Sequence, residues 1–149
     1  MQNLFNVTDR DELVRRLANL QPSSSRQWGK MNVAQMLAHC AVALEVACGD
    51  PIRKQALLGR VLAPFVLKSV LGDKPFSRNG PTDPSFKIAD ERDFAAERAR
   101  LTALADKFCS RGQGGADGLV HSFFGRLSAD EWGRLMYKHL DHHLRQFSA

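Results

Sequence analysis

The sequence lacks an apolar run long enough to cross a membrane. Its longest apolar stretch, Val61 to Leu71, is interrupted by Pro64 and Lys68 and falls short of the roughly 18 residues that a span requires. The first six residues contain neither a basic region nor a long apolar region, so they do not have the pattern of a secretion signal. We therefore expect a cytoplasmic protein with no membrane partner.

Cysteine is also scarce. The three cysteines, Cys40, Cys48 and Cys109, include no C-x-x-C pair, and an odd number cannot be fully paired within one chain. Cys40 and Cys48 would lie about 12 Å apart along a helix, which is too far for a disulfide. We expect all three to be buried thiols in a reducing compartment.

The chain has no block of like charge. Its 21 basic and 16 acidic residues give a net charge of +5, but the two signs are interleaved, as at Arg92-Asp93. A nucleic-acid-binding protein usually concentrates its basic residues on one face. The charge pattern therefore predicts solvated helix faces and no nucleic-acid partner.

Strand-like alternation is missing as well, whereas apolar residues recur at helical spacing, so we predict an all-α protein with one domain over residues 1–149. Five helical segments are expected. The first runs from Thr8 to about Leu20, the second is capped by Asn32 and ends near Gly49, and the third covers Ile52–Leu71. The fourth is capped by Asp90 or a neighbour and ends at Gly112, and the fifth begins at Ser128. Pro64 should kink or divide the third helix. The connection from Gly72 to Pro84 is long for a compact domain, and we expect it either to cross between helices or to cover a pocket.

Three of the five histidines lie close together in the last helix. His139 and His143 are four residues apart, so they point to the same side of the helix about one turn from each other and can bind one transition-metal ion. His142 is rotated away from that line and is a less natural ligand. Asp141 lies on the far side, where a salt bridge is the simplest role.

A histidine pair needs a third ligand, and His39 and His121 are the histidines that remain. His39 lies in an apolar helix, where a lone histidine is more often a core residue, but bundles build metal sites from inward-facing side chains on different helices. His39, His139 and His143 would together leave a position for water or substrate, as catalytic sites do. The ion could be zinc, nickel or iron.

Two metal motifs are excluded by spacing. A metalloprotease helix has Glu directly after the first histidine, where this chain has Leu140. A di-iron bundle requires Glu-x-x-His pairs, and the segment that begins at Glu131 has Arg134 in the histidine position.

The segments Asn32–His39 and His139–Gln146 resemble the second and last helices of the DinB/YfiT-like superfamily, the latter a run similar to H-x-x-H-H-R-G-Q. His121-Ser122-Phe123-Phe124-Gly125-Arg126-Leu127 and Glu131-Trp132 are similar to a branch of that superfamily with unassigned function. Arg145 stands where the family commonly has Gly. The resemblance implies a four-helix bundle with additional short helix or loop elements, and a divalent metal ion on His39, His139 and His143.

The same resemblance implies a metal-dependent enzyme that acts on a small-molecule substrate, with a thiol S-transferase and a small thiol cofactor as one form of that activity. The alternative is a non-catalytic metal-binding bundle that acts through protein partners. His142, His121 and Gln146 are expected around the metal ligands, although His142 could also be a plain polar neighbour and His121 a surface histidine. Trp28 is expected either over one end of the core or as a wall of a site. A homodimer is one alternative for the oligomeric state.

Overall fold

Helices account for most of the chain, as predicted. The computed structural model describes residues 1–51, 54–80 and 82–149. Within these ranges there are five α-helices: α1 (Val7–Asn19), α2 (Val33–Ala47), α3 (Leu57–Leu71), α4 (Phe94–Ala116) and α5 (Ala129–Gln146). None of these helices is both long and apolar enough to span a membrane.

The core lies between α1, α2, α4 and α5. Helix α2 is its centre, since twelve of its fifteen residues are buried and it packs against both α4 and α5. Helix α1 also packs against α4 and α5. His39 lies on this central helix, and it is therefore surrounded by other helices rather than by water.

Capping residues fix where the helices begin. Asn32 and Ser128 cap α2 and α5 in reciprocal capping boxes with Gln35 and Glu131, as the sequence predicted for Asn32 and Ser128. The predicted start of α1 at Thr8 is wrong. Asn6 is the cap, and its side chain accepts hydrogen bonds from the amides of Thr8 and Asp9.

The structure gives the bounds of α3 and α4, which differ in part from the predicted ones. Helix α3 begins at Leu57, and Ile52, where it was expected to begin, lies outside the described residues. It continues through Pro64 without being divided. Helix α4 is capped by Asp93, and it continues to Ala116 across a break at Gly112, whose φ of 70° is accessible to glycine at little cost.

Two very short strands correct the expectation that the chain has none. Strand β1 (Val120–His121) pairs antiparallel with β2 (Gly125–Arg126), with His121 opposite Gly125. Two residues are too few to show alternation, so the sequence pattern could not reveal them. This hairpin moves His121 from the predicted loop into an ordered turn against α5.

The cysteines are free thiols, as predicted. Cys40 and Cys48 are buried in the core, but Cys109 is only half-buried, so the expectation of three buried thiols is wrong for Cys109. The Cys40 thiol donates to the Met36 sulfur. Burial raises the pKa of Cys40, which keeps it a thiol and makes it unsuitable as a metal ligand.

Candidate metal centre

Helices α2 and α5 bring His39, His139 and His143 together. The ring centroids of the three imidazoles lie 4.8–4.9 Å apart in every pair. Each ring offers one nitrogen, and these three atoms all lie within 4.8 Å of one another. The pair on α5 meets because its members are one helical turn apart, and His39 joins it because α2 packs against α5.

The closest pair of ring nitrogens fits binding to a single ion. Nε2 of His39 and Nε2 of His139 are 3.0 Å apart. Two nitrogens bound to one zinc ion, each at about 2.0–2.1 Å, lie about 2.9–3.4 Å apart for right-angled to tetrahedral arrangements. Among the described residues, no carboxylate or thiol joins this group of three.

The orientation of His39 is fixed by the long connection between α3 and α4. A single 3-10 turn, Pro84–Phe86, places the carbonyl of Phe86 2.7 Å from His39 Nδ1. A carbonyl can only accept, so Nδ1 carries the proton and Nε2 keeps its lone pair for a ligand. The connection therefore supplies the outer hydrogen bond that metal-binding histidines commonly have.

The orientation of His143 is fixed by Gln146. Nδ1 of His143 donates to Gln146 Oε1 at 2.8 Å, and Gln146 Nε2 donates to the Trp28 carbonyl at 2.7 Å. The second bond determines which end of the amide faces His143. Gly29 makes room for this arrangement, because a Cβ atom there would lie 2.5 Å from Gln146 Nε2 and its φ is +80°.

His139 has a different environment. Its Nδ1 is buried and has no hydrogen-bond partner among the described residues, while its Nε2 faces only Nε2 of His39. An unpaired buried polar atom costs roughly 1–3 kcal/mol, and such atoms call for a functional explanation. A metal ion bound to Nε2 would leave Nδ1 unpaired, so the 3.0 Å approach of Nε2 to His39, and not the unpaired Nδ1, is the feature that fits a metal ligand.

The electrostatics keep all three imidazoles neutral. Burial lowers the pKa of His39, and the hydrogen bond to Phe86 opposes this only in part. Burial, reinforced by His39, lowers the pKa of His143 to about 3. Burial and then the neighbouring histidines lower the pKa of His139 well below its usual value. Neutral imidazole is the form that binds a metal ion.

His142 lies beside this group rather than in it. Its ring packs against Trp28, Phe76 and His143 at centroid distances of 5.5, 5.8 and 5.1 Å. It is half-buried and lines a cavity of about 160 Å³ that also contacts Lys138. Trp28 is therefore a neighbour of the site rather than a cover over the end of the core.

His121 is buried, so the expectation of a surface histidine is wrong. Its Nδ1 accepts hydrogen bonds from the amides of Phe123 and Phe124 in the hairpin turn, and its ring packs on Trp132. Burial lowers its pKa to about 4. His121 accepts these hydrogen bonds in a turn between β1 and β2, and both strands are too short to be predicted from the alternation of apolar and polar residues.

The remaining groups near the site are the carboxylate of Asp141 and two backbone carbonyls. Asp141 forms ion pairs with Arg16 at 2.8 Å and Arg145 at 2.9 Å, so it has the salt-bridge role that the sequence suggested. The carbonyls of Phe86 and Trp28 were not predicted, because a backbone acceptor leaves no signal in the identity of its residue.

One of three comparisons with known proteins found a match. No match was found among curated proteins or among solved structures. One family matches residues 2–149, and its description is "Protein of unknown function (DUF1569)". The match covers the helices that carry all three histidines, and the chain therefore belongs to the DUF1569 family.

Proposed function

We propose that this protein binds one divalent transition-metal ion through His39, His139 and His143, and that it is a metal-dependent enzyme acting on a small molecule. The observation that carries the proposal is the convergence of three neutral imidazoles, two of which have Nδ1 bonded to fixed acceptors. Such bonds orient the rings and leave Nε2 available to the ion.

The fold assigned by resemblance is consistent with this role. DUF1569 is grouped with the DinB/YfiT-like proteins, and we propose that α1, α2, α4 and α5 form the corresponding four-helix bundle, with α3 and the hairpin as additions. In such bundles, metal sites are built from side chains on facing helices. Here α2 contributes one histidine and α5 contributes two.

The proposed ion keeps a position for an external ligand. Three histidines are fewer ligands than a tetrahedral ion requires, and among the described residues no fourth protein ligand joins them. His139 is partly buried, whereas His39 and His143 are buried. A bound metal ion would supply a polarised water or a site for a thiolate.

The residues around the proposed ligands would orient the imidazole rings and would not take part in the reaction themselves. Gln146 and the Phe86 carbonyl hold two of the imidazoles, and the ring of His142 separates His143 from the cavity of about 160 Å³. A volume of this order accommodates a benzene-sized molecule. None of the three proposed ligands lines this cavity, so its size does not define the substrate, and a thiol S-transferase is the first activity to test.

Cobalt substitution tests the open position. Protein reconstituted with Co²⁺ is titrated with a small thiol while its visible absorption is recorded, and His142→Ala serves as the control with all three ligands intact. We expect the thiol to change the cobalt spectrum in both proteins. A spectrum that no thiol or small anion changes would favour the alternative, a non-catalytic metal-binding bundle that acts through protein partners.

A further inference from the structure

Helix α3 turns six of its large apolar side chains away from the protein. Six of the eight large hydrophobic side chains that are exposed among the described residues lie on this helix. Leu57, Leu58, Val61 and Phe65, which we call the α3 face, are 65–80% exposed. A continuous exposed apolar patch of this kind commonly marks a surface that binds a partner.

The first half of α3 turns its smallest residues toward the protein. Gly59 and Ala63 are its buried residues, and a Cβ atom at Gly59 would lie 2.1 Å from the Phe123 carbonyl oxygen. The Ala56 amide also donates to the Ser122 carbonyl at 2.7 Å. Close backbone contacts with the hairpin therefore hold α3 in this orientation. Leu67, Val70 and Leu71 near its C-terminal end pack against the core, whereas the four side chains of the α3 face remain exposed.

Both ends of α3 are anchored as well. Before the helix, the Gln55 side-chain amide donates to the Phe123 carbonyl at 3.0 Å. At its end, Lys138 of α5 donates to the carbonyls of Gly72 and Lys74. A helix held at both ends and along its small side presents the α3 face as a fixed ridge.

Within α3 and the three residues before it the charged residues are all basic, and the exposed Asp73 follows the helix C-cap Gly72. From residue 54 to residue 72 the charged residues are Lys54, Arg60 and Lys68, and all three are exposed. Lys54 precedes the helix and Lys68 lies near its end, so basic groups stand at both ends of the apolar row. The chain as a whole has a net charge of +5.

The exposed apolar residues and the basic residues beside them together indicate which kind of partner binds the α3 face. A second copy packed symmetrically through α3 would place these basic groups opposite each other, with no acidic residue of the segment to pair with them. An anionic phospholipid surface offers an apolar layer for the α3 face and negative head groups for the lysines and Arg60. A single protruding helix also needs no matching groove in a lipid surface.

We propose that the α3 face docks this protein on anionic phospholipid membranes, with the helix lying in the plane of the interface. The proposal is independent of the metal site and differs from the expectation from the sequence that the protein has no membrane partner. The helix would lie on the surface without crossing it, because its opposite side is fixed to the hairpin through Gly59.

Vesicle co-sedimentation tests this proposal. The full chain is mixed with vesicles of phosphatidylcholine alone, or of equal parts phosphatidylcholine and phosphatidylglycerol, at low and high salt. We expect binding to the anionic vesicles alone, weakened by salt. Phe65→Glu should lower the vesicle partition coefficient at least about tenfold, because the phenyl ring can no longer enter the apolar layer.

Matched controls separate apolar insertion from charge. Val7→Glu makes the same change of charge at another exposed apolar residue, 56% exposed on α1, and should reduce binding far less. Lys68→Gln should weaken binding more than Lys107→Gln, whose lysine is exposed on α4. Melting curves should show that all four variants fold, since the replaced side chains lie in solvent.

Three results would overturn the proposal. The first is absence of binding to the anionic vesicles, and the second is equal binding to both vesicle types. The third is an equal effect of Phe65→Glu and Val7→Glu. If the protein ignores vesicles but forms a dimer in solution that Phe65→Glu dissociates, the α3 face is an interface between two copies instead.

Discussion

Gln146 offers a sensitive test of the candidate site, because it touches a proposed ligand without being one. It is 3% exposed, accepts a hydrogen bond from His143 Nδ1, and donates one to the Trp28 carbonyl. Gln146→Leu keeps a similar volume but removes both bonds. Mutation of such outer partners typically lowers metal affinity about 10–100-fold, which corresponds to about 1.4–2.7 kcal/mol.

The same substitution has a separate cost in the metal-free protein. It leaves the buried His143 Nδ1–H and the part-buried Trp28 carbonyl unpaired, and a fully buried unpaired group costs about 1–3 kcal/mol. We expect the free energy of unfolding, measured in urea with a chelator present, to fall by about 2–4 kcal/mol. Gln113→Leu, at an exposed position of α4, should change neither quantity measurably.

Gln146→Glu separates the two hydrogen bonds. A carboxylate still accepts from His143 Nδ1–H, but it cannot donate to the Trp28 carbonyl and is repelled by it. We therefore expect this variant to lose stability while it keeps most of its metal affinity. Affinity is measured by competition with a chromophoric chelator. If Gln146→Leu folds and binds metal as tightly as the wild type, His143 is not held in the way we describe.

Three further predictions follow from the same contacts. Chelation of a bound ion should lower the melting temperature by about 5–10 °C without preventing folding, since an ion at about 100 times its Kd stabilises the native state by about 2.7 kcal/mol; an unchanged melting curve for protein that contains metal would contradict this. Gly29→Ala should weaken metal binding and lower the melting temperature, because its Cβ would displace Gln146 Nε2; unchanged values for both would show that Gln146 adapts freely. Acidification of metal-free protein from pH 6.5 to about pH 5 should lower the free energy of unfolding by about 2 kcal/mol through His121. The folded pKa of His121 is about 4, below its ordinary 6.5, so the unfolded chain binds the proton first. Urea melts of His121→Asn, which keeps an acceptor for the two turn amides, should lack this pH-dependent loss.

The parts of the structure that the sequence predicted depend on local patterns. The capping boxes at Asn32 and Ser128 mark two helix starts because their hydrogen bonds join residues three apart. His139 and His143 could be placed on one side of α5 for a similar reason, since helical geometry fixes residues four apart. These statements required no knowledge of the tertiary fold.

The parts that could not be predicted depend on tertiary contacts. The spacing of apolar residues indicated a helix near α3, but it could not show that Gly59 would face the protein while Phe65 faces solvent. The burial of His121 depends on a two-residue strand. The Phe86 carbonyl reaches His39 from 47 residues away through a loop, and no side-chain pattern encodes such a contact.

The central claim is tested most directly by the metal content of the purified protein. Elemental analysis should find about one equivalent of a divalent transition metal per chain in the wild type. His139→Ala should lose most of that metal, because His139 contributes a ligand nitrogen, while His142→Ala should keep it. Loss of metal from His142→Ala and its retention by His139→Ala would contradict the assignment of the ligands. A wild-type protein that binds no transition metal when it is supplied would contradict the account as a whole.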